Sequence, residues 1–581
     1  MRIFRNKNID QNSTNVKAFL LFFKERILKK KGKLALLIFI IFVGTFVTSL
    51  NPYLYGQIID NITSSDLDSL ATYLILYFWV TLLANLLSAF EVYLGQMLNF
   101  DLTRSSQSTL YNHIIRMRMK NYQSYDVGEL ISRINGDSSE VVSFEINIVT
   151  DSVQILVDLL VALYYVIKIS TRLSTVALFY LPASFILVNT LKKYFKILTE
   201  KQKQLGDQFY SFQNETFHNN VGIKSFCLED YVNKRFEHYI NKERTLLRKR
   251  IALANIKQIA GSLITIISSL YIIYVSAILI RDNLLTIGSM VAFNSYSGRL
   301  FSAISQILGI KISLQETGVS INRINEILNT EIENNIDDKP SRCSVPQIAC
   351  GNVTFCYGDS APVLDQITIE INGPGLYCIE GDNGCGKSTL AKLFVKLYDA
   401  KSGDVYLCNQ NYQGLSYRDV RTYLTYVQKE DFFLQGSILD NLRLGKMDAD
   451  EQEINALCYK IGVINFFESL PNGLNTIVEE GGENLSSGEK QKLSIVRAML
   501  RDTPIYILDE ITANLDNNAE KAVMDFLKEV SKEKIIIIIS HKLTTLECCD
   551  AIYKFSKGKL FMLNNKNKIL FNEKKRGGSF E

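Results

Sequence analysis

Six long apolar stretches lie before about residue 310 of this 581-residue chain, and they restrict its fold more than any other feature. A helix needs about 20 mostly apolar residues to cross the hydrocarbon core of a bilayer. Buried core helices of a soluble protein do not account for six such stretches, so we predict an all-α membrane domain. The predicted spans are 34–58, 69–99, 146–167, 173–195, 257–280 and 285–309.

The distribution of positive charge orients these spans. The connections at 100–145 and 192–256 are long and basic, whereas the short connection at 61–68 has no Lys or Arg. Because basic loops stay on the cytoplasmic side, we predict that the N-terminus, both long connections and everything after the sixth span are cytoplasmic. Lys168 and Arg172, in a short connection that this topology places outside, are an exception.

The composition narrows the range of partners. A net charge of +4 is too weak a bias to indicate nucleic acid. Four widely spaced histidines offer little for a histidine metal site. The six apolar stretches, and not the charge, predict the first partner, which is the bilayer of the cell membrane.

Residues 329–346 are polar and contain two prolines, and the pattern changes after them. Short β-like runs such as LYCIEG, IYILDE and IIIIIS alternate with helical stretches. Strands separated by helices are typical of an α/β domain with a largely parallel sheet. We therefore predict a second domain after this linker.

The first motif with a chemical role in this second domain is a phosphate-binding loop. The segment 381–389, GDNGCGKST, matches G-x-x-x-x-G-K-[ST] and lies between an apolar strand and a helical run. Its glycines allow backbone N–H groups to surround phosphates, Lys387 adds positive charge, and the Ser388 hydroxyl ligates Mg²⁺. The sequence thus predicts ATP and Mg²⁺ as cofactors. The candidate ligands here are Gly381, Asn383, Gly384, Cys385, Gly386, Lys387, Ser388 and Thr389.

Far downstream, the apolar strand at 505–510 ends in two carboxylates. Asp509 is placed to hold the Mg²⁺ shell, and Glu510 to polarise the attacking water as general base. Alone, a strand that ends in exposed acids is weak support for a site. Paired with the phosphate loop, it predicts ATP hydrolysis.

Between these two motifs, LSSGE at 485–489 resembles the LSGGQ signature that defines ABC ATPases. Ser487 stands where the family has its first glycine, and Glu489 stands where it has glutamine. The resemblance implies that this signature contacts nucleotide. The residues concerned are Ser486, Ser487, Gly488 and Glu489.

The other ABC motifs are present in order. The resemblance implies that Tyr357 stacks on adenine and that Gln428, a Q-loop residue, senses the γ-phosphate and ligates Mg²⁺. It further implies a D-loop at 513–516 and a switch histidine, His541, on the γ-phosphate. Sheet packing, a solvated loop or a strand-end histidine explains each residue singly. Six motifs in the expected order and spacing are not explained in that way.

Further segments resemble the exporter branch of the family. LQGSILDN at 434–441 is similar to a run that follows the exporter Q-loop, and TIVEEGG at 476–482 to an exporter loop in which Glu479 replaces glycine. Residues 125–137 and 215–226 resemble cytoplasmic coupling loops, and solvated helix extensions are the alternative interpretation.

The resemblance covers nearly the whole chain and implies a multi-domain fold. An all-α six-helix transmembrane domain precedes an α/β P-loop nucleotide-binding domain. The expected boundaries are a cytoplasmic segment at 1–33, the transmembrane domain at 34–328, a linker at 329–346, the ATPase domain at 347–570 and a tail at 571–581.

The implied function is an ATP-hydrolysing exporter subunit that works by alternating access. In this family the signature of one subunit caps the ATP held by another, so the chain is expected to dimerise. Because Glu510, His541 and the phosphate loop are intact, a second copy of the chain is the favoured partner. A related half-transporter remains open as an alternative.

The cargo is less defined. FNSYSGRLFSAI at 293–304 resembles exporters of peptides such as bacteriocins. Lipid or multidrug export by the same architecture, an ATP-gated sensor or channel, and import are the alternatives.

Two local features each allow two interpretations. Asp158 and Arg299 are predicted to lie at similar membrane depth, either as an ion pair that fixes helix packing or as substrate contacts. Cys385 is either a reactive thiol at a helix N-terminus or a residue chosen for its small size.

Overall fold

The computed structural model describes residues 30–333, 345–358, 360–556 and 559–563. The chain divides into two compact units, Met1–Met117 with Asn121–Glu331 and Arg118–Lys120 with Ile332–Glu581. The predicted tail lies outside the described residues, as do most of the N-terminal segment and of the linker. The domain boundaries therefore remain predictions.

The part of the chain before residue 330 is helical, as predicted, and helices run through all six predicted spans. Its helices are α1 (Lys31–Ser49), α2 (Asn51–Ser64), α3 (Leu67–Ile115), α4 (Met119–Tyr122), α5 (Val127–Ser132), α6 (Ser138–Ile169), α7 (Val176–His218), α8 (Asn220–Ser225), α9 (Glu229–Arg281) and α10 (Ile287–Leu328).

Four helical segments among the described residues are long and apolar enough to cross a membrane. They are Lys31–Ser64, Leu67–Ile115, Val127–Ile169 and Glu229–Arg281. The other two predicted spans, in α7 and α10, are helical but are not among these four. In α10, Asn294 and Arg299 interrupt the apolar run and lower its mean hydropathy.

The first predicted span consists of two helices because Pro52 stands at the start of α2. Proline has no N–H, so the carbonyl four residues earlier, that of Thr48, loses its helical donor. Arg299 Nη2 donates to this oxygen at 2.9 Å, and Tyr296 Oη donates to the next carbonyl, that of Ser49, also at 2.9 Å. Side chains of α10 thus satisfy the backbone of the break between α1 and α2.

Among its described residues, the second unit contains three sheets. Its strands are β1 (Gln347–Phe355), β2 (Leu364–Asn372), β3 (Gly375–Gly381), β4 (Ser402–Leu407), β5 (Gln410–Asn411), β6 (Leu424–Val427), β7 (Gly436–Ser437), β8 (Ile477–Val478), β9 (Ile505–Asp509), β10 (Ile535–Ile539), β11 (Ala551–Ser556) and β12 (Lys559–Leu563). The six-stranded sheet has the order β12-β11-β3-β10-β9-β6 and is parallel except for β12. The prediction of a largely parallel sheet is therefore confirmed for this sheet, while β2-β1-β4-β5 form an antiparallel one.

Helices cover this unit between the strands. They are α11 (Lys387–Phe394), α12 (Tyr417–Tyr423), α13 (Ile438–Arg443), α14 (Glu451–Ile461), α15 (Ile464–Ser469), α16 (Ser487–Leu500), α17 (Asn517–Val530) and α18 (Leu543–Cys548). The five isoleucines of β10 are completely buried, as expected of a parallel strand covered on both faces.

The register of the parallel strands brings the sequence motifs to one edge. Ile539 of β10 is the partner of Asp509 in β9 and of Ile379 in β3. The carboxyl ends of the three strands therefore coincide, which is where open α/β sheets bind ligands.

Candidate nucleotide site

The phosphate loop leaves β3 and enters α11 through backbone that requires glycine. Gly384 and Gly386 have φ angles of +78° and +114°, in the left-handed region that side chains disfavour. A Cβ at Gly386 would lie 2.9 Å from the Leu364 side chain, and one at Gly381 would lie 2.3 Å from the carbonyl oxygen of Phe555. The glycine pattern is thus a requirement of the local geometry.

Lys387 is held beneath this loop. Its side chain is only 6% exposed, and Nζ donates to the carbonyl oxygens of Gly381 and Asp382 at 2.7 and 2.8 Å. Cys385 Sγ lies 4.0 Å from the same nitrogen, whereas residues 382–384 are exposed. The ammonium is therefore fixed within the loop that is predicted to surround phosphates.

Asp509 lies at the end of β9 and is 4% exposed. It accepts hydrogen bonds from the Ser388 hydroxyl and, at 3.2 Å, from the phenol of Tyr426. Burial raises the pKa of Asp509, and these two hydrogen bonds oppose the rise. The structure thus joins the two residues predicted to share Mg²⁺.

The next residue, Glu510, has a φ angle of +52°, an uncommon conformation for a residue with a side chain. Its N–H donates to the carbonyl of Ile539 at 3.0 Å. Its Oε1 lies 4.0 Å from His541 Nε2, and its Oε2 lies 2.7 Å from Lys429 Nζ. The strand ends therefore bring the predicted base and switch histidine together.

The signature lies at the start of helix α16. The structure gives a physical role to Glu489, which stands where the family has glutamine. Ser486 is the N-cap, with its side-chain oxygen 3.3 Å from the Glu489 N–H. Glu489 returns the contact, because its Oε2 accepts from the Ser486 N–H at 2.7 Å. Glutamate and glutamine serve equally well in such a capping box.

Gly488 and Gln428 lie near the D-loop. A Cβ at Gly488 would lie 2.9 Å from the carbonyl oxygen of Asn514, so the position has little room for a side chain. Gln428, Ser487 and Asn514 line a cavity of about 460 Å³. The structure thus groups the signature with the Q-loop and the D-loop of the same chain.

Tyr357 lies beside the phosphate loop. Its hydroxyl is 3.2 Å from the hydroxyl of Thr389, and its ring packs edge-to-face on Phe355 and Tyr398. These contacts fix the ring, and its predicted stacking on adenine stays a prediction.

Sequence reasoning missed three residues of this site. Gln491 donates to the carbonyl of Glu510 at 3.3 Å and accepts from the N–H of Asn514 at 2.9 Å. Tyr426 and Lys429 contact the two strand-end carboxylates. Only Gln491 carried a usable signal, since it lies four residues after Ser487 on the same helix face.

In the first compact unit, which contains the predicted spans and is called the membrane unit below, Asp158 and Arg299 form an ion pair. This is one of the two predicted alternatives. Arg299 Nη1 lies 3.0 Å from Asp158 Oδ1. Because the other nitrogen of this guanidinium caps the carbonyl of Thr48, both partners are engaged in helix packing.

Two family models match this chain. Residues 34–304 match the ABC transporter transmembrane region, and residues 364–513 match the ABC transporter model. Together the two matches cover most of the chain and contain the membrane helices, the phosphate loop and the signature.

Curated bacterial relatives cover most of the chain. The lactococcin-G-processing and transport ATP-binding protein of Lactococcus lactis subsp. lactis is 29% identical over 88% of this chain and 73% of its own length. The mesentericin-Y105 transport/processing ATP-binding protein of Leuconostoc mesenteroides is 27% identical over 81% of this chain, which spans 64% of that protein. A putative multidrug export ATP-binding/permease protein of Bacillus subtilis (strain 168) is 26% identical over 80% of each chain.

A solved structure shows the same fold. A bacterial Atm1-family ABC exporter with ATP bound superposes with a TM-score of 0.87 at 20% identity, over 95% of this chain and 99% of that one. Fold and site together define an ATP-hydrolysing membrane transport protein. The chain belongs to the ABC transporter family, as a half-transporter of the exporter type.

Proposed function

We propose that this half-transporter forms a homodimer that exports a peptide through the cell membrane. The observation that carries the proposal is the similarity to a lactococcin-G transport protein along 88% of this chain. The intact phosphate loop, strand-end acids and signature support two complete ATP sites in a dimer of identical chains.

The residues of the loop fit Mg²⁺ and ATP. A Cβ at Gly384 would meet nothing within 4 Å, which leaves the loop open on that side, and the Ser388 hydroxyl already contacts the Asp509 carboxylate. Oxygen ligands of this kind suit Mg²⁺, which keeps waters and phosphate oxygens as its other ligands. We assign Ser388, Asp509 and Gln428 to the metal, which neutralises charge on the β- and γ-phosphates when bound.

The remaining roles follow from position. Lys387 contributes positive charge to the phosphates, and Glu510 accepts the proton of the attacking water. His541, which lies 4.0 Å from Glu510, contacts the γ-phosphate. The Ser486–Glu489 signature caps ATP on the partner copy, and the positive end of α16 favours an anion there.

The cargo is tested by comparing culture medium and cell extract of native cells with those of cells carrying Glu510→Gln. Untargeted mass spectrometry is expected to show a peptide that disappears from the medium and accumulates in the cells. Glu533→Gln, the same chemical change at an exposed residue outside the site, is the matched control. Unchanged peptides with retained lipids or drugs would instead favour multidrug or lipid export, in line with the Bacillus relative.

The dimer is tested by mixing two inactive chains, Lys387→Ala and Gly488→Asp. If the signature acts on the partner's ATP, each variant alone has no complete site, whereas the mixed dimer has one. ATPase activity that appears only on co-expression supports a dimer of identical chains. No recovery in a mixed dimer verified by two affinity tags contradicts the shared site.

A further inference from the structure

Lys429, directly after Gln428, has no role in the proposed function, yet its side chain reaches the proposed base. Its Nζ lies 2.7 Å from Glu510 Oε2, while the other carboxylate oxygen faces His541 at 4.0 Å. The two charged groups are thus in direct contact, at a carboxylate whose side chain is only 20% exposed.

The backbone around Lys429 is anchored on both sides. Strand β6 ends two residues before it and pairs in parallel with β9, the strand that ends at Asp509. After it, Asp431 forms an ion pair with the buried Arg497, whose Nη1 also donates to the carbonyl of Phe432 at 2.8 Å. The origin of the lysine side chain is therefore fixed relative to the site.

The backbone of Glu510 is fixed as well. Ile539 accepts from its N–H, and Gln491 donates to its carbonyl. Its side chain has one rotatable bond more than that of aspartate, so contacts of the carboxylate itself select its direction. Lys429 is 63% exposed, so packing does not direct its stem.

We infer that Lys429 is a positioning residue for the general base. Its ammonium holds Oε2 of Glu510, which leaves Oε1 to accept the proton of water. The inference rests on the proposed role of Glu510. General-base catalysis contributes about 10²–10⁴-fold to a rate, and a misplacement of about 1 Å can remove about 10²-fold. We expect the loss of one of several constraints to cost about tenfold in kcat.

The test uses the purified full-length chain in lipid nanodiscs with Lys429→Met, which keeps the stem, and Lys429→Arg, which keeps the charge. Lys429→Met is expected to lower kcat for ATP about tenfold with KM within about twofold, and Lys429→Arg to restore most of kcat. Lys446→Met is the matched control, because Lys446 forms an ion pair of the same length, 2.7 Å, with Glu453 outside the site. It is expected to keep the wild-type kcat.

A second readout separates positioning from phosphate binding. In a Glu510→Gln background, Lys429→Met is expected to leave the Kd of a fluorescent ATP analogue unchanged and to cause no further loss of turnover. A tenfold weaker Kd would make Lys429 a nucleotide ligand and overturn the inference.

The inference and the proposed function fail in different ways. If Glu510→Gln is slow but Lys429→Met turns over at the wild-type rate or faster, only the inference is wrong. If Glu510→Gln itself keeps the wild-type kcat, the proposed base is wrong and the inference falls with it.

Discussion

Helices α2 and α10 meet through two glycines, and we predict that Gly288→Ala destabilises the membrane unit. A Cβ at Gly288 would lie 2.0 Å from the carbonyl oxygen of Gly56, whereas ordinary contacts begin at 3.4 Å, so the helices must separate by about 1.4 Å (3.4 − 2.0). The same Cβ would lie 2.6 Å from Asp60 Oδ1. That carboxylate accepts from the Gly288 N–H and the Thr286 hydroxyl, each at 2.8 Å, and thereby caps α10.

The magnitude follows from three terms. Overpacking costs about 1–3 kcal/mol, and the loss of an N-terminal cap about 1 kcal/mol. Alanine regains about 1 kcal/mol of helix propensity over glycine, which leaves a net loss of about 2 kcal/mol. At about 2–4 °C per kcal/mol, the unfolding midpoint of the purified chain in detergent should fall by about 4–8 °C.

Gly298→Ala is the matched control for this experiment. Gly298 lies in the same helix, and a Cβ there meets nothing within 4 Å. This variant gains the same helix propensity without the clash, so its midpoint should stay or rise. Equal midpoints of Gly288→Ala and Gly298→Ala, measured by intrinsic fluorescence during heating, would refute the close crossing of α2 and α10.

Three further outcomes are expected. Asp158→Asn leaves the Arg299 guanidinium without its counter-charge and should destabilise the chain by about 3 kcal/mol. The uncharged double variant Asp158→Leu/Arg299→Met should be destabilised less, as measured by the same heating assay. N-ethylmaleimide on Cys385 should block ATP hydrolysis, MgATP should protect, and Cys385→Ala should resist; full activity of a stoichiometrically labelled chain contradicts this. Glu489→Gln preserves the cap with Ser486 and should keep stability, whereas Glu489→Ala should lose about 1 kcal/mol, and equal midpoints of the two variants would exclude the capping role.

The sequence was sufficient to predict the phosphate loop because its residues respond to local backbone demands. Positive φ angles at Gly384 and Gly386 explain why glycine stands there, and such demands are visible in a short segment. The contact between Lys429 and Glu510 depends instead on two strands that are far apart in sequence. No spacing rule connects them, so only the folded sheet places them together.

The same distinction applies to the fold. Alternating strands and helices predict the parallel sheet, because each strand needs a crossover to its neighbour. The antiparallel pairing of β1 with β2 and β4 has no comparable signal in the sequence. Helix α10 carried a mixed signal, since the polar residues that lower its hydropathy are also those that contact other helices.

Asp158 and Arg299, two of the ionisable groups in the predicted spans, are explained by a single proline. Pro52 removes one backbone donor, and in a bilayer the carbonyl left behind, that of Thr48, must find another partner. Arg299 supplies that donor, and Asp158 then supplies the charge that a guanidinium needs in an apolar environment. Pro52 therefore accounts for Arg299, and Arg299 accounts for Asp158. No contact with cargo is needed to explain either ionisable residue. Residues that recognise the cargo are better sought among polar side chains of the helices that have no such internal contacts.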